Sequence, residues 1–318
     1  MDEFALIDQL IAPGAGRRDD VLLGIGDDGA VVMPSPGEAL VLALDTLVEG
    51  VHFLPTMDPE VLGYRLAAVN LSDLAAMGAN PLWATLGLTL PRADPDWITA
   101  FMRGLGGALQ SFGAALVGGD TTRGPLTLSL QLTGAVPPDA ALTRHGACIG
   151  DSLWVSGTLG DAAAGLAVAR AATPESSAAH YLRQRFERPE PRVALGLALR
   201  GIASACIDIS DGFMADLGHL VTRSGVRASV HADRLPLSAA LRAELAPGDA
   251  LQRALGGGDD YELCFTVPPT ALPQLHALIA LGQPLTEIGE IVEGEGVALL
   301  DSTGQPVSTP ASGYLHFP

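Results

Sequence analysis

The chain has 318 residues, 48% of them hydrophobic, which is enough for two domains with their own cores. Its net charge is −18, and that excludes a nucleic-acid binder, which needs a cationic footprint. All 18 basic residues are arginine; without lysine the chain can build neither a GxxxxGK[ST] phosphate loop, nor a protein-kinase nucleotide site, nor a Schiff base. In chain order, Phe4, Ile7, Leu10 and Ile11 have helical spacing behind Asp2 as N-cap. An apolar strand, Ala39 to Leu44, runs into Asp45. Asp58-Pro59 opens a helix expected to reach Met77, and Asp94-Pro95 opens another after a strand Ala84–Leu90. Ala114–Val117 leads into Gly118-Gly119-Asp120, and Leu126–Val136 alternates as a strand.

The Pro137-Pro138-Asp139 turn marks a boundary between residues 1–138 and 139–318. Beyond it the pattern predicts strands at Ser152–Val155, Ala205–Ile209 and Tyr261–Val267. Helices are expected at Asp161–Ala171, Arg192–Ser204, from Asp211-Gly212 to Ser224, and at Pro269–Ile279. Both halves mix strands and helices, so the expected class is α/β (α+β) in two domains. No apolar run is long enough to span a membrane. The start, Met1-Asp2-Glu3, has no signal-peptide character. The odd cysteine set Cys148, Cys206 and Cys264, without a CxxC, fits a reducing compartment, and a cytoplasmic location is expected.

Chemistry is signalled by where the acids sit. Gly24–Gly29, Leu44–Thr46, Asn70–Asp73, Gly118–Thr122, Asp208–Gly212 and Gly256–Asp260 each combine small or apolar residues with aspartate, largely where strands are expected to stop. Several carboxylates at one cleft rim would repel by several kcal/mol at an effective dielectric of about 20. Divalent cations relieve that repulsion, and magnesium takes one or two carboxylates per ion together with phosphate oxygens. Blander readings stand beside this one. Asp211-Gly212 could be a turn with Asp211 capping a helix, and Gly256–Gly258 a flexible loop. Asn70 and Asp73, one helical turn apart, could be hydrogen-bonded within a core. Gly24-x-Gly26-x-x-Gly29 matches a dinucleotide fingerprint, but Asp27 and Asp28 inside it would repel a pyrophosphate, and a strand rather than a helix follows. No HExxH and no GxSxG is present.

Taken in order, these segments resemble the thiamine-monophosphate kinase family. The likeness runs from Gly24-Ile25-Gly26-Asp27-Asp28 through Asp45-Thr46-Leu47-Val48-Glu49-Gly50-Val51-His52-Phe53 and Asn70-Leu71-Ser72-Asp73 to Gly118-Gly119-Asp120-Thr121. It continues with Arg144-His145-Gly146, Ser156-Gly157-Thr158-Leu159-Gly160, Asp208-Ile209-Ser210-Asp211-Gly212, Gly257-Gly258-Asp259-Asp260-Tyr261-Glu262 and Gly313-Tyr314-Leu315-His316-Phe317. The resemblance implies the fold of the aminoimidazole-ribonucleotide-synthetase superfamily, with an N-terminal mixed-sheet domain that binds ATP and metal and dimerises, and a C-terminal α/β domain. It implies conversion of ATP and thiamine monophosphate to ADP and thiamine diphosphate, with Mg2+. By position it makes Asp27, Asp45, Asp73, Asp120, Asp208 and Asp211 metal ligands, with Asp120 and Asp211 central to catalysis. Gly119, Asp120, Arg144 and Ser210 become ATP contacts, and His52, Asp259 and Tyr314 contacts to thiamine monophosphate.

Two positions depart from the family pattern. Asp259 stands where glutamate is common, one methylene longer. Ala43 and Leu44 stand where hydroxyl residues commonly precede the aspartate. The alternatives are another ATP-using superfamily member, such as aminoimidazole-ribonucleotide synthetase, and a non-catalytic nucleotide- and metal-binding regulator.

Overall fold

A computed structural model describes residues 6–171, 176–307 and 313–314. The chain divides into two compact units: Met1–Leu74 with Ala79–Asp139, and Ala75–Gly78 with Ala140–Pro318. The Asp2 N-cap expected at the start lies outside the described residues. Of the helix predicted there, Ile7–Ile11 forms a π-helical turn, and Ala12–Gly14 a 3-10 turn.

In the first unit, β1 (Val21–Leu23) and β2 (Val31–Val32) form a small antiparallel hairpin. The main sheet uses β3 (Ala39–Val48), β4 (Asn80–Leu90), β5 (Ala115–Arg123) and β6 (Thr127–Val136), in the order β3-β6-β4-β5. Only the β4–β5 pair is parallel, so this sheet is mixed. Alternation sorts its faces: Leu86, Leu88, Leu90, Leu128, Leu130 and Leu132 are buried, while Thr85, Gly87, Thr89, Ser129 and Gln131 are partly exposed. Helix α1 (Pro59–Ala76) covers the leucine face: a Cβ on Gly134 would sit 3.1 Å from Leu74 Cδ1.

Both Asp-Pro helix starts behave as expected. Asp58 Oδ1 accepts the N–H groups of Glu60 and Val61 at 2.9 and 3.3 Å. Asp94 Oδ1 accepts that of Trp97 at 3.3 Å and opens α2 (Pro95–Ser111). One expectation needs correction. The strand from Ala114 does not stop at Gly118-Gly119-Asp120 but pairs with β4 through Arg123. A bulge absorbs one residue before Gly118, and Gly119 lies so close to β4 that a Cβ there would meet the Leu86 carbonyl oxygen at 2.0 Å.

The second unit is built on β7 (Ser152–Ser156), β8 (Ala205–Asp208), β9 (Arg227–His231), β10 (Leu263–Val267), β11 (Leu285–Val292) and β12 (Gly296–Leu300), in the order β12-β9-β11-β7-β10-β8. Its helices are α3 (Asp161–Arg170), α4 (Ser177–Glu187), α5 (Val193–Ala198), α6 (Phe213–Ser224), α7 (Ala239–Glu244), α8 (Pro247–Gly256) and α9 (Leu272–Ala280). Phe213, Leu217, Leu220 and Val221 make the apolar stripe of α6 and share one core with Val155, Ile207, Cys264 and Ile288. Two predicted elements are shorter than expected: α5 ends at Ala198, not Ser204, and β10 begins at Leu263, not Tyr261. Residues 257–262 are instead a loop in which Asp259 and Tyr261 take left-handed φ values of 70° and 52°. Both units carry helices on mixed sheets, the α+β class read from the sequence.

Candidate active site

In the first unit the acids sit on three kinds of support. Asp27 is exposed on the loop joining β1 and β2, and its Oδ1 accepts the Asp28 N–H at 2.9 Å. Asp45 lies within β3, whose backbone is tied to α1: the Asp45 N–H donates to Asn70 Oδ1 at 3.1 Å, while Asn70 Nδ2 donates to the Leu66 carbonyl at 2.9 Å. Fully buried Asn70 is thus a structural tether, the blander of its two readings. It brings the Asp45 backbone to within one helical turn of Asp73, which is partly buried on α1.

Asp120 is exposed within β5, next to Gly119. Asp45 and Asp120 therefore lie inside strands, not at their ends, and Asp208 alone of the six closes one. His52 follows β3 in a tight turn. Its Nδ1 accepts the Val48 N–H at 3.0 Å, which places the ring proton on Nε2.

In the second unit two loops interlock behind the sheet ends. The Ser210 carbonyl accepts the Asp259 N–H, and the Ile209 carbonyl accepts the Tyr261 N–H, each at 2.8 Å. Tyr261 Oη donates to Asp259 Oδ1 at 3.0 Å. The Asp211 carbonyl accepts the Tyr314 N–H at 3.0 Å, which places Tyr314 against the same loop with its side chain half exposed. Ser210, Asp211, Asp259 and Tyr314 are thereby brought together, with Asp208 two residues from Ser210 at the end of β8. Arg144 is exposed on a loop pinned from behind: Ser224 Oγ donates to its carbonyl at 3.2 Å, and Thr143 Oγ1 to the His145 carbonyl at 2.8 Å.

Two groups of polar residues had no role assigned from the sequence. Asp216, in the first turns of α6, accepts the N–H groups of Ser210, Asp211 and Gly212 on one oxygen at 3.0, 3.1 and 3.1 Å. Burial, together with the Asp208 and Asp211 carboxylates, pushes its carboxyl up to about 7, against the N–H groups of Asp211 and Gly212, which favour the anion. Its only sequence signal was an acid near the start of a helix that follows a glycine loop.

The second group surrounds fully buried Glu262. Its carboxylate takes a two-point contact from Arg192, with Nε and Nη2 both at 2.7 Å, a third from Arg185 Nη2 at 2.7 Å, and Ser156 Oγ at 2.5 Å. Neighbouring Asp260 accepts the N–H groups of Gly160 and Ala162 at the start of α3, at 2.6 and 3.2 Å. Ser156, Gly160, Asp260 and Glu262 thus serve as scaffold beneath the loop that carries Asp259.

Among the described residues no three His, Cys, Asp or Glu side chains are grouped so as to hold a metal ion. The donors present are nonetheless hard carboxylate oxygens, the kind magnesium takes one or two at a time alongside water and phosphate.

Known proteins match along nearly the whole chain. Residues 26–136 match the family model for the AIR synthase related protein, N-terminal domain, and residues 149–302 the corresponding C-terminal domain. The chain is 49% identical to the thiamine-monophosphate kinase of Salmonella typhimurium, over 99% of this chain and 98% of that one. The crystal structure of thiamine-monophosphate kinase from Stenotrophomonas maltophilia K279a superposes with a TM-score of 0.88 at 49% identity, covering 96% of this chain and 98% of that one. A structure described as AaThiL complexed with AMPPCP and TMP gives 0.80 at 33% identity, covering 99% and 97%. The chain belongs to the thiamine-monophosphate kinase family, within the AIR synthase related proteins.

Proposed function

We propose that this chain transfers the γ-phosphoryl group of ATP to the phosphate of thiamine monophosphate, releasing ADP and thiamine diphosphate. The observation that carries this reading is the likeness to thiamine-monophosphate kinases along 99% of this chain, to which AaThiL adds a relative holding AMPPCP and TMP.

The acceptor is a phosphate monoester with a second pKa of about 6, so at neutral pH it is already ionised and needs no general base. The chain must supply alignment, and relief of charge between two anionic substrates. Lacking lysine, it has arginine, polar side chains and metal-binding carboxylates for that work. Arg144 presents a guanidinium fork to the nucleotide. Gly119, exposed beside Asp120 in the strand, and the Ser210 hydroxyl join it in that contact. His52, protonated on Nε2, donates to the thiamine monophosphate, Tyr314 offers its ring face to the cationic thiazolium, and Asp259 completes that contact set. Asp27, Asp45, Asp73, Asp120, Asp208 and Asp211 would hold magnesium, which when bound would supply positive charge to offset that of the phosphates, and Asp120 and Asp211 would be the two of these central to catalysis.

A homodimer fits the first unit, where the edge strand β3 exposes Leu40, Leu42 and Leu44 in a row. No helix among the described residues is long and apolar enough to cross a membrane, and we read the chain as cytoplasmic.

The test is purified protein with ATP, magnesium and thiamine monophosphate, followed by chromatography. Thiamine diphosphate should form in step with ADP. Folded, nucleotide-binding protein that makes none would sink the kinase reading and leave a regulator. ADP formation with formylglycinamidine ribonucleotide in place of thiamine monophosphate would favour the synthetase alternative.

A further inference from the structure

Every backbone N–H and C=O of the loop Ile209–Gly212 has a hydrogen-bond partner within the chain, and no N–H is left for a ligand. The Ile209 N–H donates to the Glu262 carbonyl at 2.8 Å, and the Ile209 carbonyl accepts from Tyr261 at 2.8 Å. The Ser210 and Asp211 carbonyls accept from Asp259 and Tyr314, and the Gly212 carbonyl accepts the Asp216 N–H at 3.0 Å. The three remaining N–H groups, those of Ser210, Asp211 and Gly212, all point at Asp216 Oδ2.

Successive N–H groups turned to one side make a concavity that suits an anion. Here the chain's own carboxylate, with only 3% of the residue exposed, fills it. Phosphate oxygens therefore find no N–H donors on this loop. A hydrogen bond donated from this loop to a phosphate comes from the Ser210 hydroxyl, and the directions of the Ser210 and Asp211 side chains are set by a backbone fixed from behind.

We infer that Asp216 is a positioning residue for this enzyme: it orients Ser210 and Asp211 toward the nucleotide by holding three consecutive backbone N–H groups on one oxygen. This rests on the kinase reading above, in which Ser210 and Asp211 contact ATP and its metal. Removing the carboxylate leaves three buried or partly buried donors unmatched, so the loop turns to find other partners. Asparagine keeps a carbonyl oxygen at the same place and retains most of the geometry.

Wild type, Asp216→Asn and Asp216→Ala are compared in two measurements. The first is hydrogen exchange of the amides of residues 209–213 in protein without ligands, which needs no catalysis. Exchange in Asp216→Ala should rise about tenfold or more, with Asp216→Asn between it and wild type. The second is steady-state kinetics. Simple loss of folded protein lowers apparent kcat at constant KM, whereas a misdirected loop raises KM for ATP. Asp216→Ala should raise that KM about tenfold, with Asp216→Asn within about threefold of wild type.

Protected amides and unchanged KM in folded Asp216→Ala overturn the inference. If Asp216→Ala does not fold, Asp216→Asn decides: unchanged exchange and unchanged KM overturn it, and a partial shift in both supports it. Inactive wild type, by contrast, indicts the kinase reading and leaves the exchange result standing.

Discussion

Asp45 and Asp120 occupy adjacent rows of the four-stranded sheet, on its two outer strands and on opposite faces. Asp45 pairs with Leu130, which pairs with Leu86 and so with Gly119; Thr46, Ser129, Gly87 and Asp120 form the next row. Three strand spacings separate the two acids, about 14 Å at the backbone, and successive rows point to opposite sides. One ion, with ligand distances of about 2.1 Å, does not reach both.

The first prediction follows from that separation. Asp45→Asn and Asp120→Asn should each weaken magnesium binding, measured by calorimetric titration in the presence of a non-hydrolysable ATP analogue. The double variant should lose the sum of the two single losses, within about 0.5 kcal/mol. Coupling clearly beyond that would mean a shared ion and a different placement of Asp120. Turnover of Asp120→Asn should collapse with its circular dichroism unchanged.

Both acids also mark the limits of the sequence. The aspartates could be picked out because each sits among glycines or at the edge of an apolar run, and the Asp58-Pro59 and Asp94-Pro95 helix starts were legible because a capping carboxylate followed by proline has a local cause. That β5 runs on through Gly118-Gly119-Asp120 was not legible. Glycine usually ends a strand, and what keeps this one going is β4, whose partner residues lie more than thirty positions away. Likewise β9 and β12 are only five residues each, and although glycine turns flank them they are defined by pairing with each other and, for β9, with β11. Asp216 and Glu262 read as ordinary acids until the fold placed three N–H groups on one and two arginines on the other.

The second prediction concerns how α1 and α2 cross. A Cβ on Gly104 would lie 1.9 Å from the Glu60 carbonyl oxygen, and one on Gly63 would lie 2.1 Å from that of Phe101. The helices touch backbone to backbone. Gly104→Ala should cost about 1–3 kcal/mol or more through overpacking, despite alanine's better helix propensity. Gly107, three residues on in the same helix, has nothing within 4 Å of its added Cβ. Gly107→Ala should instead gain up to about 1 kcal/mol. Urea unfolding of the two variants checks the contrast, and equal effects would contradict the crossing geometry.

The third prediction separates the thiols. Cys148 is exposed, whereas Cys206 and Cys264 are buried in neighbouring strands. Burial pushes both buried thiols up, with Cys264 adding to the effect at Cys206 and Asp216 at Cys264. A thiol needs its anion and access to react. Native protein should therefore show one fast-reacting thiol with a disulfide reagent, lost in Cys148→Ser, and the other two only after denaturation.

The last prediction is a stability slope with pH from Asp260. Burial pushes its carboxyl up to about 8, opposed by the Gly160 and Ala162 N–H groups and the Arg185 guanidinium. The unfolded chain ionises this group near 3.8, so between that pH and about 8 the unfolded state binds fewer protons than the folded one. Stability from this group is therefore whole below the lower value and drains away as pH rises through the upper one. Asp260→Asn carries no such titration. Comparing urea midpoints of wild type and Asp260→Asn at pH 5, 7 and 9 isolates the effect, and the difference in favour of wild type should shrink as pH rises. A difference that instead grows from pH 5 to 9 would mean that the two N–H groups and Arg185 outweigh burial and hold Asp260 as the anion.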